Sequence, residues 1–539
     1  MRKYAALLVG LAAWLGSAEN MQAADASTIT YPFLGVTHIT RVGSAPDFAR
    51  NVKIHVVKID LSAQFLSVEF TPHTGTRDTT RQTTLQYLNS VGAQIAINGS
   101  FFLPFPSSDF NAALVGFAAS NGAVYSPFEL PTQNYALVRD SPAINIDPNN
   151  KASIVHRDPV FSDGTCYGLC QAVDGLHVLE NVIVWNAFSG SAQIVTNGVK
   201  TIPCYVDAAH PDCALVGPGP ANYSNSNSWY ELVNARTAIG LSCDNNSLVL
   251  FTVDATNGSS GMRVSEVADL LIRDYNVCNA LNMDGGGSTS LAMVDPATGI
   301  GTLVNSSSDN PSGRANASGL AVFAARDTEP PHTTAHLTPT PNVNGWNNSN
   351  VQITLRAQDN PGGIVKQIDY SLSGAQSSGT QTVAGDTVAI DVVAEGLTTV
   401  DYHATDVAGN TEPSQSVTIQ IDKGSPVISG MPTAGCQLWP PNQKLVEVGD
   451  VTATDPVSGV VAGSLAITGQ SNQSSGFNNP AIVVQPDGAG GFVVELQADR
   501  LGSGGSRIYT LTATATDLAG NVGTFRATCT VPHDQRKYS

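Results

Sequence analysis

Between about residues 30 and 326 the apolar positions come in short β-type runs broken by one clear helical stretch. Lys53 to Leu61, Ala93 to Ile97, Ser247 to Val253 and Asn279 to Met283 are rich in β-branched and apolar residues and predict strands. Between the last two, Val264, Val267, Ala268, Leu271 and Ile272 recur at helical spacing, which predicts a helix over Val264 to Asp274. A strand, helix, strand unit of this length predicts a right-handed crossover with its two strands parallel, placing Asp254 and Asp284 at carboxyl ends on one rim. After Arg326 the rhythm changes. Asp327-Thr328-Glu329-Pro330-Pro331 reads as a stiff linker, and helical periodicity does not return.

The region beyond the linker contains one pattern twice. Ala357-Gln358-Asp359 with Gly363-Ile364 matches Ala453-Thr454-Asp455 with Gly459-Val460, and Thr405-Asp406-Val407-Ala408-Gly409-Asn410 matches Thr516-Asp517-Leu518-Ala519-Gly520-Asn521. Each copy is one sandwich long. The Asp-x-Ala-Gly-Asn element predicts a hairpin turn whose Asp bonds the backbone while Gly-Asn supplies positive φ. Calcium ligation is the alternative role for these Asp residues, and no cofactor is otherwise implied. The expected fold class is an α/β (α+β, mixed-sheet) domain followed by two all-β immunoglobulin-like sandwiches. The expected boundaries are a signal peptide over 1–26, the first domain over 27–328, and sandwiches over 329–424 and 425–539, the last with a short tail.

Charge and cysteine content narrow the function classes. Twenty-six basic against 44 acidic residues gives a net charge of -18, which excludes the basic surface of a nucleic-acid binder. Met1-Arg2-Lys3, the apolar run Tyr4 to Leu15 and small residues around Ala18 to Ala26 have the three parts of a secretory signal, and no later run is long enough for a transmembrane anchor. The expected location is secreted or periplasmic. In an exported chain the eight cysteines predict disulfides rather than a metal site. The pairing expected is Cys243 with Cys278, Cys436 with Cys529, Cys204 with Cys213, and Cys166 with Cys170. The first of these rests on both residues falling at strand starts, opposite the rim of Asp254 and Asp284.

One segment fits neither helix nor strand interior: Asn282-Met283-Asp284-Gly285-Gly286-Gly287-Ser288-Thr289-Ser290. Asp284 follows a buried strand, and three residues without side chains let the backbone take positive φ and bring N–H groups against an anion. A tight turn capped by Ser288 or Thr289 is the plainer alternative. Four further polar groups flank β-runs: Asn98 beside Gly99, Arg236 opening a strand with a fork suited to phosphate, Asp254 ending a strand, and Arg314 in a Ser/Asn/Gly-rich loop. Singly they read as a turn-forming Asn, a snorkelling Arg, a capping Asp and a surface Arg.

In order along the chain, KIHVVKIDL, AINGSFF, ARTAIGLS, LFTVD and ALNMDGGGSTSL make residues 33–326 resemble the phosphodiester glycosidase family. The rear modules resemble bacterial surface immunoglobulin-like domains, with Trp439-Pro440-Pro441-Asn442 as an opening of the last one. The chain departs from the family pattern at three places. Ala255 stands where a glycine follows the LFTVD aspartate, Gly313 where an acidic residue precedes the arginine, and Arg263 where Thr or Ser caps the crossover helix. The resemblance implies hydrolysis of a sugar-1-phosphodiester to sugar and phosphomonoester. Asp284 and Asp254 then carry the carboxylate roles. Arg236, Arg314 and the backbone of Gly286, Gly287 and Ser288 hold the phosphate, and Asn98 orients a sugar hydroxyl or phosphate oxygen. The expected partners are a glycan or sugar-phosphate substrate and, through the C-terminal domains, a cell surface or polysaccharide. The alternative from another class is a non-catalytic glycan-binding or adhesion protein that has kept the fold.

Overall fold

The computed structural model describes residues 26–128, 137–159, 178–218, 222–474, 480–502 and 505–534. The expected signal segment, apart from Ala26, and the expected Cys166–Cys170 pair lie outside these residues. Two compact units divide at Thr328/Glu329, with Pro361–Gly363 grouped with the first. Among the described residues, no helix is long and apolar enough to cross a membrane.

The first unit is built on an eight-stranded sheet in the order Ala26–Phe33, Val36–Gly43, Val52–Asp60, Ser247–Val253, Arg236–Ser242, Val277–Asn282, Ala192–Thr196, Val199–Lys200. A five-stranded sheet, Gly301–Leu303, Leu291–Val294, Ile95–Asn98, Gly319–Phe323, Ser67–Phe70, faces it. Val57, Leu241, Leu250 and Leu281 from the first sheet meet Ile95, Ile97, Leu291 and Leu320 from the second in one core. On the outer face of the first sheet, Val264, Val267, Ala268 and Leu271 of the helix Val264–Tyr275 cover Val56, Phe251 and Ala280. Tyr87 and Leu88 of the helix Thr84–Val91 cover Ala96, Ala292 and Ala321 on the outer face of the second. Central strands are therefore buried on both faces, which is why they read as continuous apolar runs and not as alternation.

The helix and strands fall close to their predicted positions, but the sheet is connected differently. Every pairing in the eight-stranded sheet is antiparallel. Ser247–Val253 and Val277–Asn282 run in the same direction but are not neighbours, because Arg236–Ser242 lies between them and pairs with both. The local hairpin Arg236–Ser242/Ser247–Val253 occupies one edge of the shared strand, so the returning chain adds to the other. The α/β expectation is corrected accordingly: the unit is mostly antiparallel β, with a helix on each outer face.

Three of the expected disulfides are formed: Cys204–Cys213, Cys243–Cys278 and Cys436–Cys529. Cys243 and Cys278 have Cα atoms 4.7 Å apart. The bridge joins the end of Arg236–Ser242 to the start of its neighbour Val277–Asn282, not the two same-direction strands.

The second unit contains two β-sandwiches. Strands Val351–Gln358 and Gly396–Asp406 contribute to one core, and Leu445–Thr454 and Arg507–Thr516 to the other. The repeated turns form as expected. Asp406 accepts the N–H groups of Gly409 and Asn410, and Asp517 that of Asn521, while Gly409 and Gly520 take φ of 97° and 94°. Asn410 and Asn521 do not share the positive φ; their side-chain amides donate back to the same Asp. One carboxylate oxygen each of Asp422, Asp455 and Asp517 lies within 4.8 Å of the others. Those carboxylates also accept N–H groups of Gly424, Ser458 and Asn521.

Candidate active site

A cavity of about 370 Å³ opens where the strand Val277–Asn282 ends, with Asp284 and Gly285 to Gly287 in its lining. The Asp284 backbone is fixed on both sides: its N–H donates to the Gly99 carbonyl at 3.2 Å, and its carbonyl accepts Asn98 Nδ2 at 2.7 Å. Asn98 is fully buried, and its Oδ1 accepts Thr237 Oγ1 at 2.8 Å and the Ser290 N–H at 3.0 Å. Asn98 thus locks three chain segments behind the aspartate and does not line the cavity.

The glycines have separate uses. Gly286 takes φ of 59° to enter the short 3₁₀ turn Gly286–Ser288. A Cβ on Gly287 would stand 2.0 Å from the Asp309 carboxyl carbon and 2.3 Å from Arg314 Nη2, so only glycine lets that pair close over the turn. The expected backbone cradle is largely filled by the protein itself. Gly286 N–H donates to the Ala235 carbonyl at 2.9 Å and Ser288 N–H to that of Gly285 at 3.2 Å.

Arg314 reaches the cavity from the loop after Gly301–Leu303. Its Nη1 donates to Ser288 Oγ at 3.0 Å, its Nη2 pairs with Asp309, and its guanidinium lies 4.8 Å from the Phe105 ring centre. Asp309 was missed in the sequence, although it supplies the acidic partner that Gly313 does not. The signal was present: Gly313, at φ of 85°, closes a turn onto Asn310, folding the nearest upstream acid back onto the arginine.

Asp284, Ser288, Arg314 and Asp309 form one electrostatic network. Burial pushes the Asp284 carboxyl up to about 6; the Ser288 hydroxyl and the Arg314 charge oppose the rise, and Asp309 adds to it. The group is therefore divided between acid and carboxylate near pH 6 and is mostly carboxylate at neutral pH, which suits it to accept a proton.

The other two predicted residues sit on the same rim but away from the cavity. Asp254 is fully buried, and its Oδ1 accepts Asn305 Nδ2 and the Ser306 N–H, each at 3.1 Å. Asn305 also donates to the Thr289 carbonyl, and Ser307 to that of Gly287, so Asp254 anchors the loop that carries Asp309. Burial raises the Asp254 carboxyl above its ordinary range. Arg236, only 1% exposed, donates to the carbonyls of Met262, Trp229 and Leu232 and lies 5.3 Å from the Trp229 ring centre. Its guanidinium is pulled down to about 10 by burial. It supports Trp229, a cavity-wall residue, from behind.

Residues 91–323 match the family model described as phosphodiester glycosidase. Among solved structures, the chain is similar to the catalytic domain of zebrafish N-acetylglucosamine-1-phosphodiester alpha-N-acetylglucosaminidase, auto-inhibited by its pro-peptide. That match has 18% identity, covers 56% of this chain and 88% of that one, and has a TM-score of 0.37. A hypothetical protein from Synechocystis matches at 15% identity, covering 54% and 62%, with a TM-score of 0.34. A putative exported protein from Burkholderia pseudomallei matches at 13%, covering 56% and 97%, with a TM-score of 0.36. No curated protein sequence matches the chain. The Asp-Gly-Gly-Gly-Ser turn and its arginine, gathered at one cavity, thus fall within the residues that match the phosphodiester glycosidase model.

Proposed function

We propose that the protein hydrolyses a glycosyl-1-phosphodiester outside the cytoplasm, with Asp284 as the catalytic carboxylate. The observation that carries this reading is the pairing, in one cavity, of a carboxylate poised near 6 with an arginine held one hydroxyl away. Water adds to the anomeric carbon, the bond from that carbon to the phosphate oxygen breaks, and the phosphomonoester leaves with the electron pair. One proton of the water passes to Asp284 and then to solvent. The leaving group gains one negative charge as the bond breaks, and Arg314 is the cation beside it. Asp309 holds Arg314 in place before substrate arrives. Arg236, Asp254 and Asn98 are positioning residues that fix the cavity wall, the Asp309 loop and the Asp284 backbone. The leader-like amino terminus and the three disulfides support an exported location.

The test is incubation of the full chain with a panel of sugar-1-phosphodiesters, followed by ³¹P NMR. Appearance of a phosphomonoester with an equal amount of free sugar is expected. Tight binding of the panel without any turnover would replace this reading by a glycan-binding one.

A further inference from the structure

The cavity has two unlike halves. Asp284, Ser308, Asp309, Arg314 and Asn234 make a polar floor. The apolar part of the lining, the wall, is Phe101, Phe102, Phe105 and Trp229 with Leu103 and Val115. A sugar ring offers one apolar face, which one or two aromatic platforms satisfy, and each hydroxyl it buries needs a polar partner. The aliphatic part of this wall provides none, and the wall is larger than one sugar face requires.

Ring contacts and two arginines brace the wall, and its loop carries exposed rings. Phe102 packs edge-on to Phe105 with ring centres 5.9 Å apart, and Phe101 packs edge-on to Trp229 at 6.4 Å. The Arg81 guanidinium lies 4.8 Å from the Phe102 ring centre and donates to the carbonyls of Pro104 and Ser107, while Arg77 pairs with Asp109 at 3.1 Å. The loop so held leaves Phe105 51% and Phe110 73% exposed. Two aromatic side chains in water on a braced loop, one of them in the cavity wall, form a surface fit for hydrocarbon. Arg314 joins the two, paired with Asp309 of the floor and stacked on Phe105 of the wall.

Resting on the glycosyl-phosphodiester reading above, we propose that the second alcohol esterified to the phosphate is aliphatic, an alkyl or prenyl chain that lies along Phe105 and Leu103 and leaves past Phe110. With the phosphate at Arg314, the sugar lies toward Asp284 and the chain toward the rim. The substrate class is thus a glycosyl phospholipid-like diester and not a diester joining two sugars.

The test is a homologous series on the sugar that the panel identifies: ethyl, butyl, hexyl and decyl diesters, with a hydroxyethyl diester as the polar control. The kcat/KM should rise about threefold to fourfold per methylene until the chain leaves the wall, and Phe105→Ala should reduce the hexyl-to-ethyl ratio. A flat series, or a preference for the hydroxyethyl diester, would overturn the proposal while leaving the glycosidase reading intact. If no diester is turned over, the glycosidase reading fails, and titration of Trp229 fluorescence with hexyl phosphate against glycerol phosphate still decides the wall. At least tenfold tighter binding of hexyl phosphate, weakened by Phe105→Ala, supports an apolar ester site; equal binding refutes it.

Discussion

Two aspartate and arginine sets gather at one rim of the eight-stranded sheet, in opposite surroundings. Asp254 follows Val253, the residue in register with Arg236, and both charges are sealed from solvent, Arg236 against three carbonyls and Asp254 against the Ser306 N–H and the Asn305 amide. Asp284 and Arg314 lie in the cavity lining and share Ser288. A sealed charge acts through what it holds in place, whereas a charge facing a cavity can act on what enters it. Strand ends on a common rim are therefore not equivalent: the loop packed over each one decides which kind of role it has.

The largest effect should come from the sealed set. Arg236→Ala removes charge-assisted bonds to three carbonyls and leaves a void under Trp229, so unfolding should become easier by about 3 to 5 kcal/mol. Denaturant titration checks this. A variant as stable as the wild type, but inactive, would move Arg236 to the chemical set.

Next is Asp284→Asn, which should lower kcat by at least about a hundredfold. In the wild type, kcat/KM should rise with pH through about 6, as the carboxylate forms. Stability should respond in the opposite sense. The folded pKa is raised above the unfolded one, so the stabilising contribution is complete below about 4 and is lost as pH rises through 6. The Asn variant should therefore match the wild type near pH 4 and exceed it by roughly 1 to 2 kcal/mol at pH 7, a figure discounted for the group's access to the cavity. Paired melting curves at the two pH values would reveal a structural Asp284 if the variant melts lower at pH 7.

Arg314→Lys should raise KM for phosphodiesters about tenfold and change KM for an uncharged aryl glycoside little, because a point charge cannot replace the fork that spans Ser288 and Asp309. The sequence assigned this behaviour to Arg236 as well. Equal changes for both substrates would detach Arg314 from the phosphate.

The smallest effect is expected for the same substitution at the other aspartate. Asp254→Asn retains an oxygen for Asn305 and Ser306, so kcat should fall no more than a few-fold and stability by under about 1 kcal/mol. A hundredfold loss in steady-state turnover would erase the contrast between the two sets.

The strand positions, the helix Val264–Tyr275, the repeated Asp turns and three disulfide pairings were legible because each follows from local periodicity, turn chemistry or cysteine placement. The place of Asp284 in the cavity lining was legible for a similar reason: three glycines after a buried strand leave few structural uses. Strand order was not legible. A sequence shows which segments are strands but not which edge of Arg236–Ser242 is still free when Val277–Asn282 arrives, and that choice converted an expected parallel pair into two antiparallel ones.

Residue chemistry therefore determined on its own what could act: a carboxylate at a bare turn, arginines with forks suited to phosphate, and cysteines in pairs. Tertiary structure alone decided which of them face the cavity. It folded Asp309 back onto Arg314, closed Arg236 under Trp229, turned the 286 and 288 amides inward, and lined the cavity of Asp284 with aromatic rings. The physical reason is that burial, partner distance and access to solvent belong to contacts between distant segments, and these set whether a charge is a strut or a reagent.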